Sequence, residues 1–277
     1  MTGKTILITG CSSGIGLDAA RGLKVRGWRV FASCRQDVDC EQRRAEGFES
    51  PRIDYTDPQS IESGLAEVLA ATGGTLDVLF NNGAHAIPGA LEDLPAGALR
   101  TIFEANVFGW HDLTRRVIPV MRAQGQGRIV NHSSVLGLVS QPWRGAYNAT
   151  KYAMEGLSDT WRLEMAGTGI HVVTLNTGPV TSKIRVNAIP HFERWVDWRS
   201  SARREEYEAK LLKRLYEDRG KDAFELPPSA VTAKLIHACE ASRPRPRYYI
   251  TTPTWISGIA RRVLTTRRLD WLMGKGR

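Results

Sequence analysis

Along the first 180 residues, short runs of consecutive apolar side chains alternate with longer stretches in which apolar positions recur every three or four residues. The runs at 4–9 (KTILIT), 28–33 (WRVFAS), 50–54, 76–81 (LDVLFN), 127–133 (GRIVNHS) and 170–176 (IHVVTLN) predict strands. A seventh is predicted at 247–251, and helical periodicity covers about 14–26, 58–72, 96–122, 145–167 and the stretch after Pro227-Pro228. Strands read as unbroken Val/Ile/Leu runs are those buried on both faces, and their regular alternation with helices is the pattern of βαβ units on a parallel sheet. The fold class expected is therefore α/β, one doubly wound domain over residues 1–277 with seven parallel strands.

Two stretches depart from the rhythm. Residues 181–226 are dense in charge yet interleaved with Phe192, Trp195, Trp198, Tyr207, Tyr216 and Phe224. They leave the end of the sixth expected strand, where open α/β sheets bind ligands, so they read as a helical substrate lid or as a solvated insertion held by a few aromatics. In the tail, 253–277, Trp255, Ile256, Ile259, Ala260, Val263 and Leu264 recur at helical spacing beside Arg261, Arg262, Arg267 and Arg268. Such a basic amphipathic helix suits peripheral contact with an anionic membrane, or it covers a pocket or subunit contact with its arginines solvated.

Composition narrows the alternatives. No apolar run is long enough to span a bilayer, and the Met1-Thr2-Gly3-Lys4 start lacks the order of a signal peptide, so a cytoplasmic location is expected. Cys11, Cys34, Cys40 and Cys239 form no C-x-x-C pair and read as free thiols. Nearly all of the net charge of +9 lies beyond residue 240, where nine Arg or Lys stand against Asp270 alone; that distribution argues against a nucleic-acid groove. The six histidines show no metal-binding spacing, so no metal site is expected.

Candidate chemistry starts at Gly10-Cys11-Ser12-Ser13-Gly14-Ile15-Gly16, which closes the first strand and opens the first helix. Backbone N–H groups and the helix dipole make that turn a cradle for a pyrophosphate, with glycine where a Cβ would block close approach. At the end of the second strand, where an acid would bind adenosine ribose hydroxyls, the chain has Cys34 and then Arg35, whose guanidinium suits a 2′-phosphate. NADP is thus the expected cofactor. Tyr147 and Lys151, four apart on one helix face, supply a phenol and an ammonium; the lysine and an oxidised nicotinamide are expected to lower the phenol from its ordinary pKa of about 10. Tyr147 would then exchange a proton with a carbonyl or alcohol oxygen that Ser134 orients.

As a set these motifs resemble the short-chain dehydrogenase/reductase family, over about residues 4–252. They are Thr9 with the G-x-x-x-G-x-G turn, Asn81-Asn82-Gly83-Ala84 after the fourth strand, Asn106, Ser134 thirteen residues before Tyr147, Lys151, and Thr177-Gly178-Pro179-Val180. The family usually has N-N-A-G and a proline where this chain has N-N-G-A and Thr177. The resemblance implies a Rossmann domain, with Asn106, Ser134, Tyr147 and Lys151 catalytic and Asn106 holding a water. It also implies cofactor contacts from Asp54 (adenine), Asn82, Gly83, Tyr147, Lys151 (nicotinamide ribose), Gly178, Pro179, Val180 and Thr181, and assembly as a homodimer or homotetramer. The wording ITGCSSGIGL, FASCRQ and GAYNATKYA looks like the branch of NADP-dependent aldehyde reductases and hydroxysteroid- or retinol-dehydrogenase-like enzymes. Its small-molecule substrate would be a carbonyl or alcohol with an apolar body. Two other classes remain open: a non-catalytic NADP sensor or scaffold on the same fold, and a basic membrane- or nucleic-acid-binding module.

Overall fold

A computed structural model describes residues 3–217 and 220–274. Among these, six parallel strands form one sheet in the order β2-β1-β3-β4-β5-β6. They are β1 (Thr5–Ile8), β2 (Arg29–Ala32), β3 (Val78–Asn81), β4 (Gly127–Ser134), β5 (Ile170–Thr177) and β6 (Arg247–Ile250). The helices are α1 (Gly14–Val25), α2 (Asp37–Ala45), α3 (Pro58–Thr72), α4 (Ala96–Phe103), α5 (Gly109–Gln124), α6 (Gly145–Glu164), α7 (Ile184–Trp195), α8 (Arg204–Glu206), α9 (Leu212–Tyr216), α10 (Ser229–Glu240), α11 (Thr252–Val263) and α12 (Thr266–Gly274).

The sheet is covered on both faces because its strand residues are apolar in both phases of the two-residue repeat. Ile6, Ile8, Val30 and Val78 point into a core with Ala19 and Leu23 of α1 and Val231 and Leu235 of α10. Leu7, Phe31, Leu79 and Ile129 point to the other face, against Ile61 and Leu65 of α3, Trp110 and Leu113 of α5, and Met154 of α6.

The expected strand at 50–54 does not form, so the sheet has six strands and not seven. Only isolated bridges Phe31↔Glu49 and Cys34↔Arg52 remain. Ala32 N–H donates to Glu49 O at 2.7 Å, and Ala32 O would next accept from the N–H of residue 51. That residue is Pro51, which has none, and the Ser50 hydroxyl takes its place at 2.7 Å.

The helix expected over 96–122 is interrupted by a π turn, Glu104–Phe108, that carries Asn106. Residues 181–217 supply α7, a second π turn at Tyr207–Leu211 and the short α8 and α9, and Phe192, Val196, Tyr207, Leu211 and Leu215 join a third core with Ile87, Leu94 and Ile102. Residues 218–219 of the expected lid and 275–277 of the expected tail lie outside the described residues. The tail is two helices, broken where Leu264 turns extended.

After β1 the chain runs outward to β2 and then returns to place β3 on the other side of β1. That reversal opens a crevice beyond the carboxyl ends of β1 and β3, the place where doubly wound sheets accept ligands. The glycine turn and the Asn82-Gly83 loop both lie there.

Candidate active site

The floor of the crevice is held by buried polar contacts. The Thr9 hydroxyl meets the Tyr55 phenol at 2.7 Å and accepts from the backbone N–H of Asn82 (2.9 Å) and Gly83 (3.2 Å). Tyr55 donates in turn to Asn81 Oδ1 at 2.8 Å. Gly10 sits at φ 71° with its Cα hydrogen against Gly83, where an added Cβ would stand 2.6 Å from Gly83 Cα. At Gly16 a Cβ would stand 2.3 Å from Gly10 O, so α1 approaches the turn as closely as it does only without a side chain.

Above the turn, the start of α1 fits a bound pyrophosphate. Ser13, the N-cap residue, makes no side-chain capping bond, and the first turn holds no acid. The first N–H groups of the helix are therefore left for an anion. The turn is braced from below by Arg43, whose buried guanidinium donates to Cys11 O and Ser12 O, both at 3.1 Å. Sequence spacing gave no sign of this brace, because Arg43 belongs to α2, some thirty residues on. Arg35 is exposed and its side chain makes no hydrogen bond or ion pair among the described residues, while Cys34 is buried. Asp54 caps its own turn, accepting from Thr56 N–H and Oγ1 at 2.9 Å.

Ser134, Tyr147 and Lys151 come together between the end of β4 and the first turns of α6. Tyr147 keeps some exposure as a residue, yet burial of its phenol pushes the pKa up to about 12, while the nearby Ser134 hydroxyl and then the Arg144 guanidinium pull it back. Lys151 is held beside the phenol by further partners. Its ammonium donates to His132 O at 2.7 Å, sits 4.4 Å over the Trp110 ring and lies 5.5 Å from the Tyr147 ring centre, and burial lowers its pKa to about 7. The Arg144 guanidinium is a second cation that acts on the phenol. Asn106 spends its amide on the loop after β3, accepting from His85 N–H (3.1 Å) and donating to His85 O (2.8 Å). Gly178, Pro179 and Val180 lie beyond β5, and Thr181 N–H pairs with Leu226 O at 3.0 Å.

His132 lies close in sequence to the site, where a histidine either touches substrate or serves as a satisfied structural group, and here both ring nitrogens are bonded within the protein. Its Nδ1 bonds Asn82 Oδ1 at 2.9 Å and its Nε2 bonds the Thr177 hydroxyl at 3.1 Å. Asn82 Oδ1 can only accept, so Nδ1 carries the proton and the ring is neutral; burial, then Lys151, lowers its pKa to about 3. Thr177, where the family usually has proline, thus closes a polar bridge from the β3 loop across β4 to β5. Two surface hollows lie elsewhere, one around Met165, Ile170 and Pro246 and one among Phe192, Trp198, Leu212 and Tyr216.

A glycine cradle at the switch point and a Ser–Tyr–Lys cluster beside it are matched by the family model for short chain dehydrogenases, which covers residues 4–191. The chain belongs to the short-chain dehydrogenase/reductase family. It is an oxidoreductase that works with a nicotinamide cofactor. Over 270 residues it is 37% identical to the uncharacterized oxidoreductase YbbO of Escherichia coli, covering 98% of this chain and 94% of that protein. It is 28% identical over 280 residues to the NADPH-dependent 3-dehydrocapnine reductase of Ornithobacterium rhinotracheale, covering 97% and 95%. Among solved structures, a short-chain dehydrogenase from Streptomyces avermitilis superposes with a TM-score of 0.80 at 26% identity, over 99% of this chain and 97% of the other. No described helix is long and apolar enough to cross a membrane, and no group of three or more His, Cys, Asp or Glu among the described residues could hold a metal ion.

Proposed function

We propose that the protein is an NADPH-dependent reductase of an aldehyde or ketone with an apolar body. The observation that carries this reading is the meeting of the Ser134 hydroxyl, the Tyr147 phenol and the Lys151 ammonium between the end of β4 and the start of α6, with the phenol raised further by its burial and so protonated near pH 7. A phenol in that state is a proton donor, which is what carbonyl reduction requires. A nicotinamide cofactor held above the glycine turn would supply the hydride for the carbonyl carbon. Tyr147 gives its proton to the carbonyl oxygen, Ser134 hydrogen-bonds the same oxygen, and Lys151 stands ready to bind the ribose from beneath. The cradle at Gly10–Gly16, with Ser12, Ser13, Gly14 and Ile15, holds the pyrophosphate, and Asn82, Gly83, Asp54 and the 178–181 loop line the rest of the cofactor site. The exposed, unpaired Arg35 beside buried Cys34 favours the 2′-phosphate. Residues 181–226 act as the lid, fastened at its base by the Val180↔Leu226 bridge.

The test is NADPH consumption with decanal and a panel of aromatic and steroid ketones, with NADH in parallel. Turnover that falls by about 10²-fold or more in Tyr147→Phe, while NADPH still binds, supports the assignment. Tight NADPH binding without reduction of any compound would return the sensor reading.

A second reading concerns the tail. Trp255, Ile256, Ile259 and Val263 are each at least half exposed and do not cover a pocket. With the basic residues around them they suit an anionic lipid surface. Co-sedimentation with phosphatidylglycerol vesicles that is lost in the double variant Arg267→Glu, Arg268→Glu supports this; no sedimentation of the intact protein refutes it.

A further inference from the structure

Arg144 stands immediately before α6, three residues ahead of Tyr147. Its position is tightly fixed. Trp143, before it, holds the unusual φ of 66°, with its ring edge-on to Tyr207 at 4.9 Å and its carbonyl accepting from Gly89 N–H at 3.1 Å. Arg144 itself bridges to Gly89. A bulky residue in the left-handed region persists only where surrounding contacts impose it, and such strain gathers at ligand sites.

What the guanidinium faces is as informative as where it sits. It makes no hydrogen bond and no ion pair among the described residues. The charged groups that act on it are Arg214, Arg185 and Asp222, together with the Tyr147 phenol. Asp222 is already shared: its Oδ2 lies 3.0 Å from Arg214 and 3.5 Å from Arg185. Glu225, the next acid, accepts from Thr181 Oγ1 and from Asp222 N–H at 2.6 and 2.9 Å. Three arginines thus lie in one another's field around one carboxylate that two of them already hold, and Arg144 is the one that acts on the phenol. The half-buried Arg144 side chain therefore keeps its donors free for a ligand.

We propose that the substrate carries an acidic oxoanion, a carboxylate or sulfonate near its carbonyl, and that Arg144 binds it with Arg185 and Arg214 at the rim. The inference rests on the reductase reading and names the class of substrate within it. The anion fixes the polar end of the molecule next to Tyr147, and the apolar body extends along the lid. Arg185 and Arg214 reach the site from α7 and α9, so the anion also draws the lid onto the catalytic residues.

The experiment compares 4-oxododecanoate with its methyl ester as substrates for NADPH-dependent reduction by the wild type, Arg144→Gln and Arg144→Lys. The acid should be preferred in kcat/KM by on the order of 10- to 100-fold, the range of one charge-assisted hydrogen bond. Arg144→Gln should erase that preference and Arg144→Lys keep part of it. Because both substrates use the same phenol, any effect of Arg144 on Tyr147 cancels in the ratio. A second measurement needs no turnover: calorimetric binding of dodecanoate against dodecanol, where the wild type should favour the acid and Arg144→Gln should not. Equal use of acid and ester by an enzyme that reduces decanal overturns the anion site and leaves the reductase standing. If nothing is reduced, the reductase reading fails, and the dodecanoate titration alone decides the anion site.

Discussion

Replacing Lys151 with methionine should change the pH dependence of folding stability as well as turnover. The lysine is 2% exposed, its ammonium donates to His132 O, and burial lowers its pKa from the ordinary 10.5 to about 7. Between those two values the unfolded chain binds more protons than the folded one. Stability therefore rises with pH through this window, by up to about 1.4 kcal/mol per unit. The contribution is fully present above the unfolded value and lost as pH falls through the folded one. From pH 7 to pH 9 the wild type should gain about 2 kcal/mol that the methionine variant, uncharged and of similar length, does not. Urea unfolding followed by tryptophan fluorescence, with both proteins at pH 6.5, 7, 8 and 9, measures the difference. Parallel stability curves for the two proteins would refute the claim that this ammonium is desolvated. The function depends on the same property: an anionic cofactor favours the charged lysine, so NADPH binding at pH 8 should take up a proton, visible by calorimetry in buffers of different ionisation enthalpy.

Gly16→Ala places a Cβ 2.3 Å from Gly10 O and 2.7 Å from Asn82 Nδ2, so α1 must move off the turn and NADPH affinity by fluorescence titration should fall at least about tenfold. Gly83→Ala, by contrast, meets nothing closer than 3.4 Å and should leave urea stability unchanged or raise it by up to about 1 kcal/mol. His132→Val strips partners from Asn82 and Thr177 and should cost about 1–3 kcal/mol in urea unfolding at pH 7. Because the folded pKa of His132 is lowered from 6.5 to about 3, the wild type loses stability as pH falls below 6.5; the valine variant should lose less between pH 6.5 and 5.

The sequence went furthest where the determinants are local. The strand runs around Ile6, Leu79 and Val173, the glycines at 10, 14 and 16, and the four-residue step from Tyr147 to Lys151 each carry their meaning within a few residues. Backbone geometry and side-chain period suffice to interpret them. The seventh strand failed for an equally local reason, since Pro51 cannot donate to the ladder, although the Ser50 substitute needs the neighbouring strand in place.

Charge was decided elsewhere. Lys151 and Tyr147 are neighbours on one helix face, and from that spacing the lysine ought to lower the phenol. In the folded chain His132 O and the Trp110 ring also hold the ammonium, and Arg144 adds a second cation near the phenol. Arg43 under the glycine turn, His132 between Asn82 and Thr177, and Asp222 shared by two lid arginines likewise join residues that are distant along the chain. The sequence by itself determined the doubly wound class and the glycine turn between β1 and α1, because these follow from local geometry and periodicity. Only the tertiary structure decided which groups are enclosed and which charges face one another, because desolvation and Coulomb interactions depend on distances that the packing of the fold sets.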